Sequence, residues 1–153
     1  MAVTAWWYAK AFLAFANKEI DILDDSIKVG LTTVTYVPNQ DTHDYYNDIT
    51  NELATANGYT AAGQALANDV YTTTLNVATY DADNTVWTSS GAGFTARIAF
   101  TYDSTPGTAA TDPLLWWMDF GQDETASGGG TFTLNYNASG IATVTSTNAT
   151  GFP

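Results

Sequence analysis

A chain of 153 residues and 16.3 kDa suits one domain with a sizeable core and leaves no room for two ordinary ones. Its 16 acidic residues against 4 basic ones, a net charge of -12, exclude a surface that neutralises several phosphates, and the same repulsion argues against an anionic membrane. Cysteine is absent, which removes disulfides, thiolate metal sites and thiol catalysis.

Charged residues make up 13% of the chain against an ordinary share of about 25%, so solubility rests on Thr, Asn, Ser and Gly. Abundant Thr and aromatic residues favour pleated, half-buried surfaces over helical ones. The four cations, Lys10, Lys18, Lys28 and Arg97, are scattered. An acidic body of this kind resists non-specific adhesion, which suits a protein displayed in many copies.

Residues 5–18 are apolar almost all round, through Trp6, Trp7, Tyr8, Phe12, Leu13 and Phe15. The alanines and the spacing of Tyr8, Phe12 and Phe15 predict a short helix under the body, with an extended arm over 1–18 as the competing reading. Ala14-Phe15-Ala16 imitates a signal-cleavage site, but Lys10 interrupts the apolar run and no basic stretch precedes it. No stretch approaches the ~20 apolar residues of a membrane-spanning helix.

Residues 17–26 read as an acidic connector and residues 27–31 as a strand, from the alternation Ile27-Lys28-Val29-Gly30-Leu31. Residues 33–37 extend that strand or form the next edge. The polar run 41–49 is the next helix candidate: Asp41 or Thr42 can cap it, and Tyr45, Ile49 and Leu53 fall on one face. Asn57-Gly58 marks a turn, and residues 59–66 an irregular crossing.

Everything from Asp69 onward reads as β. A Thr-rich strand over 70–80 turns at Asp81-Ala82-Asp83-Asn84 and returns as Thr85-Val86-Trp87. A strand over 96–102 places Ile98 and Phe100 on one face. A loop over 103–113 leads to a strand over 114–120, then a flexible Gly-rich loop over 122–130. A last hairpin joins 131–136 to 141–146 through Asn137-Ala138-Ser139-Gly140, with a loose tail over 148–153. The expected fold is therefore mainly β, an antiparallel β-sandwich or barrel with one or two short helices in the N-terminal third, forming one domain over 1–153.

Constellations able to carry chemistry are sparse. His43, the single histidine, lies among Asp41, Asp44 and Asp48, without a nucleophile signature or zinc-ligand spacing; a turn-stabilising role is expected. Asp81, Asp83 and Asn84 imitate the start of a calcium loop, but lack its Gly and distant Glu. Asp119, Asp123 and Glu124 could be posed as paired carboxylates for sugar hydrolysis, a role that depends on their separation in space. The sequons at Asn137 and Asn148 suit coincidence in a chain this rich in Asn and Thr. The expectation is no catalytic residue, no metal and no cofactor.

Tryptophan is more telling. Trp116 and Trp117 are adjacent on a predicted strand, so their side chains point to opposite faces. Trp6 and Trp7 pose the same problem near an end of the chain. Either these rings cover the core from both sides, or Trp6, Trp7, Tyr8, Trp116 and Trp117 are anchors in protein contacts; sugar stacking is a third reading.

An ordered set of segments carries a resemblance. Residues 10–21 (KAFLAFANKEID) precede 25–31 (DSIKVGL), 36–46 (YVPNQDTHDYY) and 58–63 (GYTAAG); later come 95–100 (TARIAF), 111–115 (TDPLL) and 119–121 (DFG). Together they resemble a family of small virion proteins of tailed bacteriophages. The resemblance implies a particle component without catalysis, most specifically a decoration protein bound to the assembled head lattice and its major capsid protein, present in many copies or as a homo-oligomer and made in the bacterial cytoplasm. A tail or head–tail connector subunit is the alternative within that class, and a carbohydrate-binding adhesin module the alternative outside it. Under the first reading residues 1–8 form a contact arm, and their removal is expected to leave the β domain folded.

Overall fold

The computed structural model describes residues 3–146. Two long strands, β7 (Phe94–Asp103) and β8 (Leu114–Ala126), form its spine. Both carry β-branched and aromatic side chains, and Ile98–Asp103 of β7 and Leu114–Trp116 of β8 are buried on both faces. They pair antiparallel, with irregularities between Ala96 and Ile98 and between Thr101 and Tyr102. β1 (Thr4–Trp7) adds to the outer side of β8, while β2 (Ile27–Thr32) and the two-residue β3 (Gln64–Ala65) add beyond β7. The result is an open five-stranded sheet of order β1-β8-β7-β2-β3.

The pairing register assigns side chains to its two faces. Leu31, Ala99, Met118 and Ala5 lie on one row, and Val29, Thr101, Trp116 and Trp7 on the next. Against this first face pack α1 (Ala9–Asn17), a three-stranded sheet of order β10-β5-β4 and a two-stranded sheet, β6-β9. These smaller sheets comprise β4 (Val70–Thr74), β5 (Val77–Asp81), β6 (Thr85–Thr88), β9 (Thr131–Leu134) and β10 (Ala142–Thr145). Tyr80, Trp87, Phe132, Leu134 and Ala14 complete the main core here. The second face carries Phe100, Tyr102, Leu114 and Trp117, covered by Tyr8, Tyr46 and Ile49. The architecture is mainly β with antiparallel sheets, sandwich-like in its packing. The sheets do not close into a barrel among the described residues.

Several local expectations change. Residues 5–18 are neither one helix nor one arm: Thr4–Trp7 is a sheet strand, and the helix occupies Ala9–Asn17, ending at Lys18 in a left-handed conformation (φ 62°). Residues 41–49 contain only a 3-10 turn at Tyr46–Asp48, with Tyr45 rather than Asp41 or Thr42 at its N-cap position and the Asp48 carboxylate accepting from the Tyr45 N–H. The chain there is held by long-range contacts instead: Tyr46 N–H donates to Asp112 O at 2.9 Å, and the Tyr46 ring stacks on Tyr102 at 4.6 Å between centroids. The strand expected over 70–80 is a hairpin, β4-β5, with Leu75 at its tip (φ 56°). Thr85–Thr88 does not return along it but pairs with β9. The last two strands likewise separate, β9 to β6 and β10 to β5. The Gly-rich loop is shorter than expected because β8 continues to Ala126. The tail over 148–153 and the sequon at Asn148 lie outside the described residues.

Asn57-Gly58 forms the expected turn. Both residues have positive φ (54° and 92°), and Ala56 and Tyr59 exchange backbone hydrogen bonds at 3.0 Å, the geometry of a two-residue hairpin. Gly58 also lies against the Thr88 carbonyl, where any side chain would collide.

Candidate interaction surface

The outer edge of the five-stranded sheet is β1, Thr-Ala-Trp-Trp. Edge strands are commonly guarded by charge, proline or a bulge. β1 has no charged residue and no proline, and its pairing to β8 is regular over all four positions. Tyr8 N–H donates to Leu115 O at 3.0 Å, so alternation directs the backbone groups of Thr4 and Trp6 toward β8 and those of Ala5 and Trp7 outward.

Beneath this edge, on the first face, runs a groove of about 690 Å³. Val3 and Ala5 form one lip, Met118 and Phe120 the floor, and Phe132 and Leu134 of β9 the opposite wall. Glu124 is the one charged residue lining it. A second, smaller cavity of about 240 Å³ lies between α1 and the three-stranded sheet, lined by Trp7, Phe15, Ile22, Tyr71, Tyr80 and Val144.

The five aromatic residues singled out in the sequence come together around β1 but differ in exposure. Trp6 is 50% exposed and stacks on Trp117 with centroids 6.5 Å apart. Trp117 is half-buried on the second face. Trp7 and Trp116 meet edge to face at 5.0 Å on the first face, where Trp116 also meets Tyr80. Tyr8 is wholly buried, its hydroxyl 2.8 Å from that of Tyr36. The two adjacent tryptophans of β8 thus serve opposite faces of one sheet, and Trp6 alone of the five offers a largely open ring. The groove wall from β9 escaped the sequence reading, although the alternation of Phe132 and Leu134 with threonines was a usable signal.

Tyr8 links this edge to the histidine. Tyr36 Oη lies 2.9 Å from His43 Nδ1, and the His43 ring stacks on Tyr36 at 5.7 Å and on Tyr8 at 6.2 Å. Burial raises the Tyr36 phenol to about 12 and lifts that of Tyr8 further, aided by the neighbouring Tyr36. Around His43 the acids are engaged structurally: Asp48 Oδ2 accepts from the backbone N–H groups of Asp44 and Tyr45, and Asp44 meets Lys10 at 4.0 Å.

Asp119 is held in an ion pair. Arg97 Nε donates to Oδ1, Nη2 lies 3.4 Å from Oδ2, and Gly121 N–H donates to Oδ1 at 2.7 Å. The Arg97 hydrogen bond keeps the Asp119 carboxyl below the usual carboxylate range. Glu124 accepts from Gln122 at 2.8 Å. At the Asp81 turn, Asp83 accepts from Asn68 at 2.7 Å, and Asp81 accepts from Ala82 N–H at 3.0 Å. Among the described residues no three His, Cys, Asp or Glu side chains converge on a point that could hold a metal ion. No helix there is long and apolar enough to cross a membrane.

No family model, curated protein or solved structure matches this chain.

Proposed function

We propose that this protein is a structural component of a tailed bacteriophage particle, most specifically a decoration protein seated on the assembled head lattice. One observation carries the reading: an acidic body presents an open, uncharged strand edge, β1, beside a half-exposed tryptophan and a groove of mixed polarity. Strand addition supplies affinity through backbone hydrogen bonds, and the flanking pockets select the side chains admitted. The bacteriophage part of the proposal rests on the ordered sequence resemblance.

The test is co-sedimentation of the full chain with assembled heads stripped of accessory proteins. Saturable binding at hundreds of copies per head is expected. Trp6→Ala, which removes a half-exposed ring and leaves the core intact, should weaken it by about tenfold or more, the effect of losing an interface aromatic. Absence of binding to heads overturns the decoration role. Stoichiometric binding to tails or connectors would move the chain to the alternative within the same class.

The open ring of Trp6 keeps a carbohydrate-binding module as a second reading. Trp116 is buried and cannot stack on a sugar, so Trp6-dependent binding on a glycan array is the observation that would favour it.

A further inference from the structure

Resting on the reading of β1 as a contact edge, we propose that its occupant is a second copy of this chain, paired β1 to β1 about a two-fold axis into one continuous ten-stranded sheet. Three features select this occupant. The first is charge: residues 1–18 contain no Asp or Glu and two of the four cations. The acidic charge lies elsewhere in the chain, and Asp119, the acid paired in register with β1, is neutralised by Arg97. A molecule of net charge -12 can therefore approach itself along this edge with nearby acids offset, Asp119 by Arg97 and Asp44 by Lys10, while Glu124 lies in the groove on the first face.

The second is hydrogen bonding. Ala5 and Trp7 present their backbone groups outward, so an antiparallel two-fold sets Ala5 opposite the partner's Trp7, and Trp7 opposite the partner's Ala5. Each of these pairs exchanges both N–H···O bonds. The ladder is confined to these residues because α1 begins at Ala9.

The third is shape. In this register every small side chain on the first face opposes a large one, Ala5 against Trp7. On the second face Trp6 falls opposite the partner's Trp6 at the non-hydrogen-bonded position, where Cα atoms approach to roughly 4.5 Å. The Trp117–Trp6 stack then continues across the axis into the same stack of the second copy. The interface is isologous and closes on itself. A ladder this short falls below the ~1,200 Å² of a stable free dimer, so association is weak in solution and gains strength when copies are held side by side.

The absence of native cysteine allows a clean test. Trp6→Cys places one thiol at the axis, at a separation that suits a disulfide; Leu75→Cys, at the fully exposed hairpin tip, reports random collision. Under mild oxidation the first should form a covalent dimer about tenfold faster or more. In parallel, sedimentation equilibrium of the native chain up to about 1 mM should show a monomer–dimer equilibrium. Ala5→Pro deletes an outward N–H without removing a bond to β8, and should weaken that equilibrium about tenfold or more. Equal cross-linking at the two positions, a dimer indifferent to Ala5→Pro, or a strictly monomeric native chain would overturn the proposal. Head binding of the native chain is scored on particles and its self-association in their absence, so failure of self-pairing and failure of the particle role are read separately.

Discussion

The carboxyl of Asp103, at the end of β7, lies close enough to Asp25 to feel its like charge, and neither acid pairs with Lys or Arg among the described residues. Asp103 is completely buried; its Oδ1 accepts from Thr105 N–H at 2.8 Å, while Oδ2 has no donor. Burial, reinforced by the charge of Asp25, raises the Asp103 carboxyl to about 6. An acid whose folded pKa exceeds its unfolded value binds more protons when folded, so stability falls as pH rises between the two. The protein should therefore lose stability as pH rises above the ordinary carboxylate range, by at most about 1 kcal/mol per pH unit from this site. Asp103→Asn keeps the Thr105 contact, supplies a donor toward Asp25 and should flatten that slope while raising stability at pH 7. Urea titrations across the pH range measure both effects; an unchanged slope in Asp103→Asn refutes the assignment.

Glu52 holds the covering segment onto the sheet. Its carboxylate accepts from the Tyr46 and Tyr59 hydroxyls and, at 2.7 Å, from Ala62 N–H, while the Tyr59 hydroxyl accepts from Leu31 N–H at 2.9 Å. Glu52→Ala strands several half-buried donors and is expected to cost about 2–4 kcal/mol. Thermal melts should place its midpoint roughly 5–15 °C lower. Glu52→Gln, which retains an acceptor, should fall between the two.

Removal of residues 1–8 should not leave a folded β domain. It deletes an edge strand paired over four positions and the fully buried Tyr8, whose ring packs with Phe100, Tyr102 and Leu114. Losing a buried aromatic alone costs about 3–5 kcal/mol. Circular dichroism of the truncated chain is expected to show a strongly destabilised or unfolded protein. Retention of a cooperative melt near the native midpoint would contradict this.

Alkaline pH should unfold the protein cooperatively. Burial raises Tyr8, Tyr46, Tyr59, Tyr80 and Tyr102 above the ordinary phenol value of 10.0, and Tyr36 and Tyr136 to about 12. Because these acids hold their protons longer when folded, stability falls as pH rises above 10. Phenolate absorbance from these seven rings should then rise in one step that coincides with loss of β circular dichroism. Gradual ionisation with the fold intact would show that these rings are more accessible than their burial implies.

Gly30 lies under the Phe100 ring, where an added Cβ would collide with ring atoms that have no room to retreat. Gly30→Ala is expected to destabilise by about 1–3 kcal/mol through overpacking. Denaturant midpoints of Gly30→Ala, and of Gly30→Ala with Phe100→Leu, should show partial rescue in the double variant.

A strand's side-chain alternation is local and needs no partner, so the mainly β class, the spine strands and the opposite facing of Trp116 and Trp117 are legible in the order of residues alone. The Asn57-Gly58 turn was legible for the same reason: its positive φ angles are a property of those two residues. Which strands pair is set by packing between distant segments. Thr85–Thr88 follows β5 closely yet joins β9, and the Asn137-Gly140 turn sends its two flanking strands to different sheets. Residues 41–49 have a helical pattern, but the bond from Tyr46 to Asp112 and the stack on Tyr102 outweigh the small intrinsic preference of so short a segment. Trp6 and Trp7 were visible as unusual from the start. Their placement on an open edge depended on β8, more than a hundred residues away, and contacts at that separation leave no trace in local periodicity.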